Sequence, residues 1–256
     1  MRSAIAISID FIYASIIVVI ASSGLSAKEI NPAIQYRDCM GLSKSTPQKA
    51  FETALNWHGL GGGDAADHCL AVALIGLGQY KEAAERLERL ALNIKQTTNI
   101  KAGLLAHAAQ AWILAGGSIR AEALLTEALK LSPSDATLMI DRSQSRAGQK
   151  NYTGAIEDLN RAIKLENRLA DAFVFRASAY RHLNKLKNAL ADVEHALTLQ
   201  PEHPDGLLER GNLRRLREDA IGARKDWLTL IRKKPKSAAA EAARINLERL
   251  DLKTWR

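Results

Sequence analysis

Two cysteines and six histidines carry most of the reactive chemistry open to this chain. Cys39 and Cys69 could pair as a disulfide, ligate a metal, or sit as small buried apolar residues. His58, His68, His107, His182, His195 and His203 are candidate metal ligands. None of them pair at i and i+4 with a carboxylate between, the spacing that puts two imidazoles and a base on one helix face. His58, His68 and Cys69 are scattered and fall short of a zinc pattern. The string GLGGGD, Gly59 to Asp64, has no Lys-Ser or Lys-Thr after it. It reads as a flexible link between helices and not as a phosphate loop. No G-x-S-x-G is present, so a serine nucleophile has no strained elbow to sit on. The expectation is a non-enzymatic protein with no cofactor and no metal.

The elements that would position such residues are helices. The apolar fraction is 47%, led by Leu and Ala, and only 6 prolines interrupt 256 residues. That is a helix-forming, folding composition and a poor one for an all-β sandwich. The net charge of +8 attracts anions without choosing among them.

An internal period organises the chain. Ala121, Ala155, Ala189 and Ala223 stand 34 residues apart, and Ala83 stands 38 before the first. Four residues on are Leu125, Leu159, Val193 and Trp227; seven on are Ala128, Ala162, Ala196 and Leu230. Eight on are Leu129, Ile163, Leu197 and Ile231. Offsets of 4, 7 and 8 form one helical stripe. Twelve after the alanine come Pro133, Asn167, Pro201 and Pro235, where a proline ends a helix. Twelve before it come Ala109, Ser143, Ala177 and Gly211, small enough for two helices to approach closely.

This pattern resembles the tetratricopeptide repeat. The resemblance implies an all-α fold, a right-handed α-solenoid of helical hairpins. The register places four consecutive repeats over 102–237, as 102–135, 136–169, 170–203 and 204–237. Degenerate helical repeats precede them over 28–101, with Pro47, Ala50, Ala54 and Trp57 in phase for a second helix. A C-terminal capping helix follows over 238–256, with Ala239, Ala242, Ile245 and Leu250 expected inward and Glu241, Arg244 and Glu248 outward. Met139, Arg142 and Arg146 depart from the usual residue types. In such arrays the first helices line a groove that binds an extended peptide or a helix. By this resemblance the groove positions are Gln110, Ile140, Gln144, Val174, Ser178, Arg181, Leu208, Asn212 and Arg215. Some members clamp a C-terminal carboxylate with a cationic set. The corresponding positions here are Ala106 with Gln110, Asp141, and Asp171 with Phe175, so that clamp is missing.

Residues 1–27 read as an export signal: Arg2, an apolar run through Ala21, then a small-residue exit. Cleavage is expected after Ala27 or Ser26. Asp10 departs from the pattern, and an uncleaved membrane anchor is the alternative. Export makes the expected location periplasmic or secreted, with a membrane-anchored assembly factor as the alternative. In an oxidising compartment Cys39 and Cys69 would tend to pair, since the register puts them on neighbouring first helices; two buried thiols are the other reading. The expected partner is a protein. It could be an acidic one, because Lys and Arg outnumber Asp and Glu by 14 to 9 from Pro201 onward. Aromatics for base stacking are nearly absent there, so nucleic acid is not expected.

Overall fold

The computed structural model describes residues 31–95 and 97–254. The leader expected over residues 1–27 lies outside them. The described residues form thirteen α-helices and no strand. In order they are α1 (Pro32–Ser45), α2 (Pro47–Gly59), α3 (Gly63–Gly76), α4 (Tyr80–Asn93), α5 (Thr98–Leu114), α6 (Ser118–Leu131) and α7 (Ala136–Gly148). Then follow α8 (Tyr152–Leu165), α9 (Ala170–His182), α10 (Leu186–Leu199), α11 (Pro204–Leu216), α12 (Ala220–Lys233) and α13 (Ala238–Thr254). The helices pair in sequence as hairpins, α1 with α2 through α11 with α12.

The period is visible in the backbone. The second helices α6, α8, α10 and α12 begin at residues 118, 152, 186 and 220, each 34 after the last. The tight turn before each of them has a left-handed residue at Gly116, Lys150, Asn184 and Glu218, again 34 apart. Only the first of these is glycine, so three side chains accept a conformation disfavoured by about 1 kcal/mol. Side-chain caps close several helix starts, with Asn151 accepting from the Gly154 amide and Asp219 from Gly222.

Packing follows the stripe. Ala121, Ala155, Ala189 and Ala223 are fully buried, as are Leu125, Leu159, Val193 and Trp227. At Gly211 a Cβ would overlap the Trp227 indole, so this crossing accepts no larger residue. Ala50, Ala54 and Trp57 of α2 are buried as well. Each hairpin leaves its stripe open until the next one covers it, which is why such stacks are stabilised only by neighbours.

The capping helix α13 packs on α11 and α12, but its buried face is only in part the expected one. Ala239, Ala240, Ala243 and Leu250 are buried, Ala242 is half-buried, and Ile245 is exposed. The alanine run offers two adjacent stripes, and the one at 240, 243, 247 and 250 meets the preceding pair.

Arg142, which departs from the usual residue type, has a structural role. Its guanidinium grips the Asp158 carboxylate with Nε at 2.9 Å and Nη2 at 2.6 Å. Arg176 holds Asp192 and Arg210 holds Asp226 in the same bidentate way. Every partner lies 16 residues on, and the pairs repeat every 34. Arg142 also donates to Thr126, and Arg176 to Asn160, on the second helix of the preceding pair. Each arginine therefore ties its own hairpin in planar charge-assisted geometry, and Arg142 and Arg176 also tie it to the preceding one.

Candidate partner groove

First helices approach one another across successive pairs, α1 with α3, α5 with α7, α7 with α9, α9 with α11 and α11 with α13. Second helices do not approach one another to the same degree. The first helices thus occupy the inner side of the stack, and their free face is the candidate groove.

Polar rungs cross this face from one first helix to the next. Tyr36 Oη lies 2.7 Å from His68 Nδ1, and His68 Nε2 lies 2.8 Å from His107 Nδ1. These join α1, α3 and α5. Gln110 Nε2 on α5 donates to Asp141 Oδ2 on α7 at 3.1 Å. Asp171 on α9 meets His203, the residue capping α11, at 2.9 Å, and Arg181 Nε donates to Glu209 Oε1 at 2.6 Å. Asn246 on α13 donates to Asn212 on α11 at 2.9 Å. One junction lacks a rung: among the described residues no hydrogen bond joins α7 to α9.

A cavity of about 130 Å³ occupies that junction. Ala155, Leu159 and Phe175 give it apolar walls, and Gln144, Ser178 and the stacked rings of Tyr152 and His182 complete it.

The electrostatics change along the face. Burial lowers the His68 pKa to about 4, helped by the nearby His107 ring, and burial lowers His107 also. The relay is therefore neutral at physiological pH. Asp141 is 7% exposed. Burial pushes its carboxyl up to about 6, opposed by the Gln110 bond and reinforced by Asp135 and Asp171. Its Oδ1 has no partner among the described residues but keeps contact with solvent. The bond from His203 holds the Asp171 carboxyl below its ordinary value, against burial.

The expected groove residues divide by exposure. Ile140 and Val174 are buried and belong to the walls between helices. Gln144, Ser178, Arg181, Leu208 and Asn212 are half-buried, and Gln110 and Arg215 are exposed. Gln144 and Ser178 meet at the α7–α9 cavity. Arg181 and Asn212 are engaged in rungs. The histidine relay is a functional candidate that the repeat pattern alone does not reveal, whereas Asp141 and Asp171 stand at positions the register does place. The residues of the rungs lie 28 to 39 apart, and only the Asn212–Asn246 pair falls on the period of 34.

Cys39 on α1 and Cys69 on α3 form a disulfide with their Cα atoms 6.2 Å apart, so neither thiol is free to ligate. Among the described residues no three His, Cys, Asp or Glu side chains are arranged to hold a metal ion. Among them, too, no helix is long and apolar enough to cross a membrane.

Comparison with known proteins agrees with this architecture. Residues 170–203 match the family model of the tetratricopeptide repeat. Over 71 residues the chain is 35% identical to Protein SGT1 homolog of Oryza sativa subsp. japonica, a stretch covering 28% of this chain and 19% of that protein. Over 63 residues it is 30% identical to sperm-associated antigen 1 of Mus musculus, covering 25% and 7%. The chain thus spans at most about a fifth of the curated relatives it matches. A thermophilic tetratricopeptide protein of Thermus thermophilus superposes with a TM-score of 0.62 at 18% identity, covering 74% of this chain and 99% of that one. MamA of Desulfovibrio magneticus gives 0.54 at 18% identity, covering 68% and 97%. The fold is a tetratricopeptide-type α-solenoid.

Proposed function

We propose that this protein is an exported, non-catalytic interaction scaffold that holds an extended peptide or helix of a protein partner along its first-helix face. The supporting observation is the face itself: half-buried or exposed Gln110, Gln144, Ser178, Leu208 and Arg215 stand on four first helices in succession. A surface repeated in this way suits an elongated ligand, because each hairpin offers the next segment of chain a similar environment. Export is supported by the Cys39–Cys69 bridge, since disulfides persist in oxidising compartments.

A photo-crosslinking residue at Ser178 should capture a protein in the native cell, and one at the exposed Glu157 of α8 should not. Capture equal at both positions, or at Glu157 alone, overturns the groove reading. Export predicts a mature N-terminus near residue 28 and thiols that react with maleimide only after reduction.

A further inference from the structure

The α7–α9 junction combines four observations. It is the first-helix junction without a rung. It holds the cavity bounded by Gln144, Phe175 and Ser178. Beside it on α7 stands the Asp141 carboxylate, nine-tenths buried, whose Oδ2 accepts from Gln110 of α5, whose Oδ1 is open to solvent and unpartnered among the described residues, and which feels the charge of Asp171 on α9. Lastly, its own cations are committed elsewhere. Arg142 and Arg146 hold Asp158, Arg176 holds Asp192 and Arg181 holds Glu209. In a chain of net charge +8, this is a local reversal of sign.

We propose that this junction reads a basic residue of the partner, with a lysine or arginine set between Asp141 and Asp171 and a nearby apolar side chain in the cavity. The proposal rests on the groove reading above and names what the groove selects. A buried carboxylate with an open oxygen is costly until a cation meets it, and Asp135 and Asp171 add to its field. The ligand ammonium or guanidinium would supply the missing rung. The cavity, at about 130 Å³, is close to the size of an apolar cavity of about 150 Å³ that accepts benzene, so a leucine, methionine or phenylalanine side chain fits. Asp141 and Gln144 lie about one helical turn apart, ~5 Å. Two residues of extended peptide cover about 6.6 Å and put their side chains on one face. The ligand pattern is therefore basic, any, apolar.

The test is fluorescence anisotropy with a labelled nonapeptide of glycine and serine carrying Lys-Ser-Leu at its centre. Comparison peptides carry Glu-Ser-Leu and Lys-Ser-Ser. The Lys-Ser-Leu peptide should bind at least tenfold more tightly than either. Asp141→Asn and Asp171→Asn should each weaken it about tenfold, and binding should fall as salt rises. Asp171 is exposed, and in Asp171→Asn the amide oxygen can still accept from His203, so this variant keeps the test open even if the Asp141 variant is unstable. The proposal is overturned if the Glu-Ser-Leu peptide binds as well, if both substitutions leave binding unchanged, or if no peptide binds. If Glu-Ser-Leu binds and Ser178→Arg abolishes it, the basic ligand is wrong and the groove survives. If crosslinking at Ser178 also fails, the groove falls with it.

Discussion

Between α1 and α5 the hairpins are joined by the Cys39–Cys69 disulfide and the Tyr36–His68–His107 relay. Between α7 and α12 every hairpin is held instead by an arginine and an aspartate 16 residues apart. The two regions differ in regularity. Ala83 and Ala121 are 38 apart, whereas the later alanines keep 34. A bidentate ion pair works at a fixed spacing, so it can be copied only where the register is copied. Where the register drifts, a covalent bond and an aromatic stack hold first helices together without needing a repeat. The pair α5–α6 marks the change: the positions matching Arg142 and Asp158 are Ala108 and Leu124, both buried, and the contact there is plain apolar packing.

The largest way to break the comparison is to remove a shared carboxylate. Asp158 has a side chain only 2% exposed and faces both Arg142 and Arg146. Asp158→Ala leaves a buried guanidinium unpaired and should cost about 3–5 kcal/mol. Asp192→Ala should cost less, because Asp192 is 11% exposed and serves one arginine. Equal losses in denaturant melts would show that the second arginine contributes nothing.

Breaking the disulfide should cost somewhat less, about 3.6 kcal/mol for a loop of 30 residues. With Cys39→Ala and Cys69→Ala together, hydrogen exchange should accelerate in α1 to α4 and stay unchanged in α9 to α12, because hairpins feel only their neighbours. Acceleration along the whole chain would mean one cooperative unit. A smaller effect, about 1–3 kcal/mol, is expected from Ala155→Leu or Ala189→Leu, which overfill buried helix crossings. Unchanged melting temperatures would place these alanines away from the crossing.

Much of this was legible in the sequence. The alanine series gave the helical hairpins because a buried small residue at a fixed period has few other causes. The cysteine pairing followed from placing both on neighbouring first helices. The arginine–aspartate series has the same period in the sequence, yet Arg142 alone reads as a flaw in an apolar pattern. Its meaning needs Asp158, a residue on the opposite helix. The inner-face rungs were illegible for a related reason: they join helices of adjacent pairs at spacings scattered from 28 to 39 and not at one fixed period. The outward Ile245 shows a third limit, since an alanine-rich helix offers several stripes of equal hydrophobicity and its neighbours choose.

The smallest expected effect is on global pH dependence, and it is small because the two regions oppose each other. His68 has its pKa lowered to about 4 from an ordinary 6.5. A group depressed on folding contributes stability that is present above 6.5 and lost as pH falls towards 4. Asp141 is raised to about 6 from 3.8. Its contribution is present below 3.8 and is lost as pH rises through 6. Between pH 4 and 6 acidification therefore weakens the relay at α3 while it relieves the buried charge at α7. The whole-protein melting temperature should move little over this range, but amide exchange should speed up in α3 and slow in α7. His68→Gln should flatten the first response and Asp141→Asn the second, each leaving the other in place. Two responses of the same sign, or either one surviving the loss of its residue, would show that these groups do not govern the pH behaviour of their helices.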